Sequence, residues 1–92
     1  MLDIVQTSKF RKDYELLVNQ GKDMSLLKVV IDTLVEEKTL PIKYKDHSLK
    51  GKWKDFRECH IQGDWILIYK ISQNELTLTL SRSGSHSKIL GM

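Results

Sequence analysis

The sequence predicts a single α+β domain over residues 1–92. An N-terminal strand and a two-helix hairpin are expected to pack on a twisted, mainly antiparallel four-stranded sheet. Two patterns predict this class: apolar residues recur at the helical period in the first half of the chain and alternate at the strand period in the second. A chain of 92 residues, of which 40% are hydrophobic, can bury one small core and is too short for two.

The first half opens with a short strand, LDIVQ, and continues into two helices. Thr7 or Ser8 can cap the first helix and Asp23 the second, which must end before Pro41. The segment between the helices is short and contains glycine, which predicts an antiparallel helical hairpin. The residues expected to face the sheet are Phe10, Tyr14, Leu17 and Val18 in the first helix and Leu27, Val30, Ile31 and Leu34 in the second.

The second half predicts a three-stranded meander. KWKDFRECHI alternates imperfectly, QGD marks a turn, and WILIYKI is apolar on both faces, which is typical of a central strand. ELTLTLSR alternates cleanly, with Leu76, Leu78 and Leu80 expected on one face. The apolar faces of strands and helices together predict two packed layers, with a short terminal element in SGSHSKILGM.

Positive charge is concentrated in the second half of the chain. Residues 1–42 carry six Lys/Arg and seven Asp/Glu, whereas residues 43–92 carry nine and five. All three histidines lie in this basic half. The asymmetry is compatible with a polyanionic partner, although charge alone favours the simpler interpretation of a solvated face.

Cysteine content and hydropathy predict the cellular location. Cys59 is the only cysteine, so no intrachain disulfide can form, as is usual in a reducing cytoplasm. The segment MLDIVQTSKF lacks the basic and apolar regions of a signal peptide. No apolar run approaches the roughly 18 residues of a membrane span. A cytoplasmic protein without a membrane partner is therefore expected.

Three histidines, His47, His60 and His86, are the candidates for acid–base chemistry because imidazole exchanges protons near neutral pH. RNA cleavage by its own 2′-hydroxyl needs one group to remove a proton and another to donate one. A cation must also stabilise the phosphorane between them. The QGD turn is expected to bring Asp64 close to His60. The candidate cations are Lys50, Lys52, Lys54, Arg57 and Arg82.

Simpler interpretations of these residues remain open at this point. Histidines scattered along a sequence are more often exposed bystanders than members of one site. Trp53 and Trp65 are more often core residues than platforms for an unpaired base. The sequence contains no closely spaced His or Cys pair of the kind that binds zinc, so no metal and no cofactor is expected.

Three motifs carry a resemblance to a known family. They are KDH-x-L-x-G-x-W at residues 45–53, R-x-x-H-I-x-x-DW-I-L-I-Y-K at residues 57–70 and R-x-G-x-H at residues 82–86. In this order they resemble the RelE-type toxins of the bacterial RelE/ParE superfamily, and within them the YafQ branch. The resemblance covers essentially the whole chain and implies the RelE-like fold.

The resemblance implies the toxin of a type II toxin–antitoxin system. Such a toxin is a ribosome-dependent endoribonuclease, or mRNA interferase, which cuts mRNA in the A site of the 30S subunit, notably at adenine-rich lysine codons. Attack by the 2′-hydroxyl leaves a 2′,3′-cyclic phosphate, requires no metal and inhibits translation. The implied partner is a DinJ-like ribbon-helix-helix antitoxin, in a heterotetramer that binds operator DNA.

The resemblance also implies the site residues. His47, His60, Asp64 and His86 match the functional positions of the family, and Trp65 matches the aromatic residue of its DW pair. We assign His86 as general acid toward the leaving oxygen and His60 with Asp64 to the 2′ proton. Exchanged acid and base roles fit the sequence equally well. The expected RNA or phosphate contacts are Lys50, Lys52, Lys54, Arg57, Trp65 and Arg82, with His47 positioning the substrate or sharing proton transfer.

One position departs from the family pattern. Leu90 stands where the family often has an aromatic residue, so a weaker or different codon preference is expected. Three other interpretations stay open: a ParE-like toxin that binds a protein target such as gyrase, a passive RNA-binding protein, and a degenerate toxin that still binds its antitoxin. The first needs no acid–base residues, and the second would show salt-dependent binding without a product.

Overall fold

The computed structural model describes residues 1–91, and within them it confirms the α+β class with five strands and three α-helices. The sheet order is β1-β5-β4-β3-β2; β1 runs parallel to β5, and the other neighbours are antiparallel. The elements are β1 (Asp3–Gln6), α1 (Ser8–Asn19), α2 (Met24–Val35), β2 (His47–Ser48), β3 (Arg57–Gln62), β4 (Trp65–Ser72), β5 (Thr77–Ser85) and α3 (His86–Leu90).

The sheet has five strands rather than the predicted four because the segment around His47 is a strand and not a loop. β2 contains two residues, with His47 opposite Glu58 and Ser48 opposite Arg57. Two residues are too few to show alternation, so this strand depends on pairing with β3 and has no local sequence signal.

Helix α1 packs against β5, but its buried face differs from the prediction. Phe10 and Leu17 are buried as expected, whereas Tyr14 is 42% exposed and Val18 is 49% exposed. The third buried position belongs to Asp13, whose carboxylate binds Arg82 and the backbone of Ser83. The prediction for Tyr14 and Val18 was wrong because a buried ion pair, rather than the apolar stripe, sets the rotation of the helix.

Helix α2 follows its predicted pattern. Leu27, Val30 and Leu34 are buried, and the partly buried Ile31 packs against the same core. Both predicted N-caps form, since Thr7 Oγ1 accepts from the Phe10 amide at 3.0 Å and Asp23 Oδ1 from the Ser25 amide at 3.1 Å. None of the helices within residues 1–91 has the length and apolar character needed to cross a membrane.

The strand predicted from ELTLTLSR begins at Thr77, two residues after the start of that segment. Leu78 and Leu80 are buried, but Leu76 is 53% exposed. Leu76 has a φ of 53° and lies in the turn before β5. The left-handed backbone takes its side chain away from the strand face, so the prediction that Leu76 faces the core was wrong.

Cys59 lies on β3 in the centre of the core and is fully buried. Burial raises the pKa of its thiol to about 12, and the negative charges of Asp46 and Glu58 act in the same direction. The reactive form of cysteine is the thiolate. The folded protein therefore holds Cys59 in an inaccessible and unreactive form.

We expect native protein to resist iodoacetamide at pH 8, because Cys59 is protonated and buried until the chain unfolds. Mass spectrometry should show little alkylation of native protein over an hour and complete alkylation in concentrated guanidinium chloride. Rapid labelling of the native protein would contradict the placement of Cys59 in the core.

Candidate active site

The sheet register brings all three histidines to one face. His47 on β2 pairs with Glu58 on β3, and directly paired residues point to the same side of a sheet. His60 follows Glu58 by two positions, so it shares that side. Opposite His60 lies Ile66, and opposite Ile66 lies Gly84, two residues before His86. Three segments that are distant in sequence thus contribute to one cluster.

A single carboxylate, that of Glu58, lies at the centre of the cluster. His60 Nε2 is 3.0 Å from Glu58 Oε1, and His47 Nε2 is 3.7 Å from the same oxygen. His86 Nε2 is 3.6 Å from Oε2. The His47 and His86 ring centroids lie 6.5 Å and 6.4 Å from that of His60. The site is therefore a carboxylate surrounded by three imidazoles.

Glu58 is 1% exposed, and its two oxygens differ in their contacts. Oε1 is within hydrogen-bond distance of His60, whereas Oε2 is buried and has no hydrogen-bond partner among residues 1–91. A buried acceptor without a donor is costly, so such groups are rare unless they serve a function. Oε2 lies 3.6 Å from His86 Nε2, so a small shift of that ring lets its N–H donate to this oxygen.

Backbone carbonyl groups hold two of the rings in place. His47 Nδ1 lies 2.7 Å from the carbonyl oxygen of Lys45; because a carbonyl can only accept, Nδ1 donates and Nε2 is directed toward Glu58. The amide of His86 donates to the carbonyl oxygen of Asp64 at 2.8 Å. This bond attaches the start of α3 to the start of β4 and fixes where the His86 side chain begins.

Asp64 contributes to this arrangement through its backbone. Its side chain is exposed, and within residues 1–91 its carboxylate makes no hydrogen bond or ion pair with a histidine ring. It lines a separate cavity of about 340 Å³ together with Lys22 and Lys88. The turn brings Asp64 near the cluster, as the sequence predicts, but its carbonyl oxygen is the group that contacts a site residue.

Trp65 belongs to the core. It is 2% exposed, and its indole Nε1 donates to Ser83 Oγ at 2.9 Å. No face of the ring is open to an RNA base, so the structure does not support the predicted RNA contact for this residue. Its place in the motif reflects the packing of β4 against β5.

The two arginines predicted to bind phosphate are engaged in ion pairs. Arg57 binds Asp46 through Nε at 3.3 Å and Nη2 at 3.2 Å. Arg82 binds Asp13 through Nε at 2.7 Å and Nη2 at 3.1 Å. Hydrogen bonding to the paired carboxylate raises the pKa of each guanidinium. Each arginine therefore has a structural role. Nη1 of Arg82 takes no part in the ion pair with Asp13.

The three predicted lysine contacts lie together on the connection between β2 and β3. Lys50, Lys52 and Lys54 are exposed around a 3₁₀ turn at Gly51–Trp53. The turn is held by the Leu49 amide, which donates to the carbonyl of Phe56 at 3.0 Å, and by the Trp53 ring packed edge-on against Phe56. The connection therefore places positive charge between β2, which contains His47, and β3, which contains Glu58 and His60.

Imidazole and carboxylate groups are also common metal ligands, so a metal site is an alternative role for the cluster. The ring nitrogens point at Glu58 and not at a shared open position. Across residues 1–91, no group of three or more His, Cys, Asp or Glu side chains has the arrangement to hold a metal ion. In this geometry the residues can serve as acid–base groups.

Sequence reasoning missed Glu58, although a signal for it was present. Glu58 precedes His60 by two positions in a segment recognised as alternating, which already places the two side chains on one face. An acidic residue in such a strand is normally assigned to the solvent side, because burial of a carboxylate is rare without partners. Its partners, His47 and His86, come from segments whose pairing no local pattern reveals.

Comparison with known families shows that a chain with this fold and histidine cluster is a bacterial toxin of the type II toxin–antitoxin class. The family described as "Bacterial toxin of type II toxin-antitoxin system, YafQ" matches residues 2–91. The chain therefore belongs to the YafQ family of the RelE/ParE superfamily.

Relatives and solved structures support this assignment over the full length. The mRNA interferase toxin YafQ of Escherichia coli K12 is 41% identical over 91 residues, covering 97% of this chain and 96% of the relative. A metal-bound toxin from Helicobacter pylori is 50% identical, with a TM-score of 0.91 and coverage of 97% and 99%. YafQ in the E. coli DinJ–YafQ complex is 38% identical, with a TM-score of 0.90 and coverage of 99% and 100%.

Proposed function

We propose that this chain is an mRNA interferase that cleaves messenger RNA on the ribosome, through attack of a 2′-hydroxyl on the adjacent phosphodiester. The observation that carries the proposal is the convergence of three imidazoles on the buried carboxylate of Glu58. This arrangement supplies a proton acceptor and a proton donor side by side. The relatives named mRNA interferase toxin YafQ support the same activity.

In the proposed mechanism, Glu58 and His60 act together on the 2′-hydroxyl. The His60 ring accepts the proton as the 2′-oxygen forms its bond to phosphorus, and the negative charge of Glu58 stabilises the imidazolium that results. The P–O5′ bond then breaks, and His86 donates a proton to the departing 5′-oxygen. His47 positions the substrate or shares proton transfer. The products are a 2′,3′-cyclic phosphate and a free 5′-hydroxyl.

Charge stabilisation in this mechanism comes from the basic groups around the cluster. Arg82 Nη1 and the exposed lysines at positions 50, 52 and 54 are the cations available to a phosphorane or to flanking phosphates. Arg57 supports the site through its pair with Asp46, and Asp64 through the bond from its carbonyl to His86. No step requires a metal ion.

The ribosome completes the site in this proposal. The histidine face is open, so the domain by itself cannot hold a flexible RNA strand in line for attack. An aligned substrate can lower the barrier by several kcal/mol, about 7–11 in the best intramolecular cases. The 30S A site is the proposed source of that alignment, with adenine-rich lysine codons as the proposed targets.

The proposed protein partner is a DinJ-like antitoxin. The E. coli relative has been crystallised as a DinJ–YafQ complex, and this chain matches that YafQ over nearly its whole length. We propose further that the antitoxin is a ribbon-helix-helix protein and that the two proteins form a heterotetramer that binds operator DNA. We also propose that the toxin acts in the cytoplasm. Copurification of this chain with the product of a neighbouring gene tests whether it has such an antitoxin.

Cleavage of ribosome-bound message is the decisive experiment. We expect in-frame cuts in mRNA on programmed ribosomes, little cutting of the same mRNA in solution, and 3′ ends that carry a cyclic phosphate. His86→Ala should remove the cuts, because the leaving oxygen loses its proton donor. A chelator selective for zinc and copper, which leaves ribosomal magnesium in place, should have no effect.

Two outcomes would contradict the proposal. Folded wild-type protein that cuts neither free nor ribosome-bound RNA, yet stops growth, would favour a ParE-like toxin that binds a protein target. Salt-dependent RNA binding without any product would favour a passive RNA-binding protein. Loss of activity with the chelator, restored by addition of one metal, would contradict the metal-free mechanism but not the nuclease function.

A further inference from the structure

A small pocket shares a wall with the histidine cluster. It encloses about 210 Å³, and His60, Tyr44, Lys43 and Gln62 are among the residues that line it, with Val29 of α2 on another side. Pockets for drug-sized ligands are usually about 300–1,000 Å³, so this pocket suits a smaller group, of the size of a single nucleobase. The mechanism proposed above uses only His60 of these residues.

We propose that this pocket is a nucleobase subsite, which holds the base of a nucleotide adjacent to the phosphodiester that is cleaved. The inference rests on the proposed ribonuclease function and adds to it the residues that select the substrate. His60 belongs both to the pocket wall and to the cluster around Glu58. A base in the pocket therefore places its own ribose and phosphate beside the acid–base groups.

The pocket offers the chemistry that recognises an unpaired base. Tyr44 contributes an aromatic ring that is partly buried against the core, so the ring is held in a fixed position. Aromatic rings stack on bases of any identity. The Gln62 amide is exposed and can both donate to and accept from the edge of a base. The ring supplies affinity, and the amide supplies selectivity.

Lys43 adds a positive charge at the same place. Its Nζ lies 5.2 Å from the centroid of the Tyr44 ring, within the range of a cation–π contact. The ammonium can move from the ring to a phosphate when a base takes its place on the ring. Such an exchange keeps the ring covered in the free protein and provides a phosphate contact in the complex.

The backbone links the pocket to the catalytic cluster. Tyr44 ends a 3₁₀ turn at Ile42–Tyr44, and Lys45 follows in the left-handed conformation with a φ of 49°. The carbonyl of Lys45 is the group that holds His47 Nδ1 at 2.7 Å. A base that packs on Tyr44 is therefore only three residues along the chain from His47, on a backbone whose path is fixed.

Other aromatic residues near the cluster are less suited to this role. Trp65 and Tyr69 are 2% and 1% exposed, and the segment SGSHSKILGM contains no aromatic residue. Trp53 and Phe56 pack on each other, with ring centroids 5.3 Å apart. Tyr44 combines a partly open ring with a place beside His60.

The test uses Tyr44→Leu, Tyr44→Phe and Gln62→Leu, with Gln73→Leu as the matched control. Gln73 is exposed and lines a different cavity, beside Arg57 and Tyr69. Each protein is assayed on ribosomes programmed with a message that presents every codon. Each is also titrated with four non-cleavable 2′-deoxy trinucleotides, of A, C, G and U, with binding followed by NMR chemical shifts.

We expect Tyr44→Leu to weaken trinucleotide binding and ribosomal cleavage by about 10-fold, as loss of one base stack does. Tyr44→Phe should bind trinucleotides and cut RNA better than Tyr44→Leu, because the aromatic ring remains. Gln62→Leu should change the relative cutting of codons by at least about 5-fold, while Gln73→Leu leaves the pattern unchanged. Shifts on titration should map to Tyr44, Gln62 and His60.

Two results would overturn the subsite. One is an active wild-type enzyme whose codon pattern and rate are the same in Tyr44→Leu and Gln62→Leu. The other is trinucleotide binding that these variants do not alter. A wild-type protein that binds trinucleotides at this pocket but cuts no RNA would contradict the nuclease function and not the subsite. Gln62 is exposed, so its variant tests the proposal even if Tyr44→Leu is unstable.

Discussion

Glu58→Gln is expected to reduce cleavage of ribosome-bound mRNA by about 10²- to 10⁴-fold, the usual contribution of an acid–base group. Glutamine has nearly the same shape as glutamate but lacks the negative charge that stabilises a protonated His60. The three imidazoles would lose the carboxylate on which they converge. Single-turnover cleavage on programmed ribosomes measures the effect without interference from product release.

Stability measurements separate this chemical role from a structural one. A buried carboxylate is expensive to desolvate, so Glu58→Gln should leave the free energy of unfolding unchanged or slightly higher. Glu75→Gln, in an exposed turn, is the matched control and should keep full activity. A folded Glu58→Gln protein that cleaves at the wild-type rate would show that His60 needs no carboxylate partner to take the 2′ proton.

Arg82→Ala is expected to lower the free energy of unfolding by about 3 kcal/mol, because it leaves the carboxylate of Asp13 buried without its cation. The Asp13 side chain is 9% exposed and that of Arg82 is 20% exposed; the partial exposure of Arg82 places the loss at the lower end of the range for buried pairs. Urea unfolding followed by circular dichroism measures it. Arg11→Ala, at an exposed position on α1, should change stability by less than about 0.5 kcal/mol.

Comparison of Arg82→Ala with a second variant, Arg82→Lys, separates the structural role of Arg82 from a role in phosphate binding. Arg82→Lys keeps a charge that can approach Asp13 but loses the geometry of the two-atom contact. If Arg82 only holds α1 on β5, activity in both variants should be restored at low temperature, where the folded state is populated. Persistent loss of cleavage in fully folded protein would assign Nη1 to the phosphate. A stability loss under 1 kcal/mol would contradict the structural role.

The helices and the meander could be predicted because their signals are local. Caps at Thr7 and Asp23 and the apolar repeat of Leu27, Val30 and Leu34 depend on neighbours within a few residues. The same rules failed at Tyr14 and Val18, where a contact between residues 69 positions apart decided which side of α1 is buried. Local periodicity carries no information about such a contact.

The three histidines of the candidate site could be predicted from the sequence, but Glu58, the carboxylate at its centre, could not. The motifs identified His47, His60 and His86, and the register of four strands brings them together. Asp64 and Trp65 were assigned to the site because they share a motif with His60. A motif shows only which residues occur together. It does not show whether a residue acts through its backbone carbonyl, as Asp64 does, packs in the core, as Trp65 does, or takes part in catalysis through its side chain.

The position of β5 between β1 and β4 has a consequence for how the protein is made. His86 is the last of the three histidines in the order of synthesis, and β5 is the strand to which both β1 and β4 pair. A growing chain that has reached only β4 contains His47, Glu58 and His60, but has neither the third imidazole nor the strand that joins the two halves of the sheet. The complete histidine cluster therefore cannot assemble until the strand that precedes His86 has been synthesised and has emerged from the ribosome.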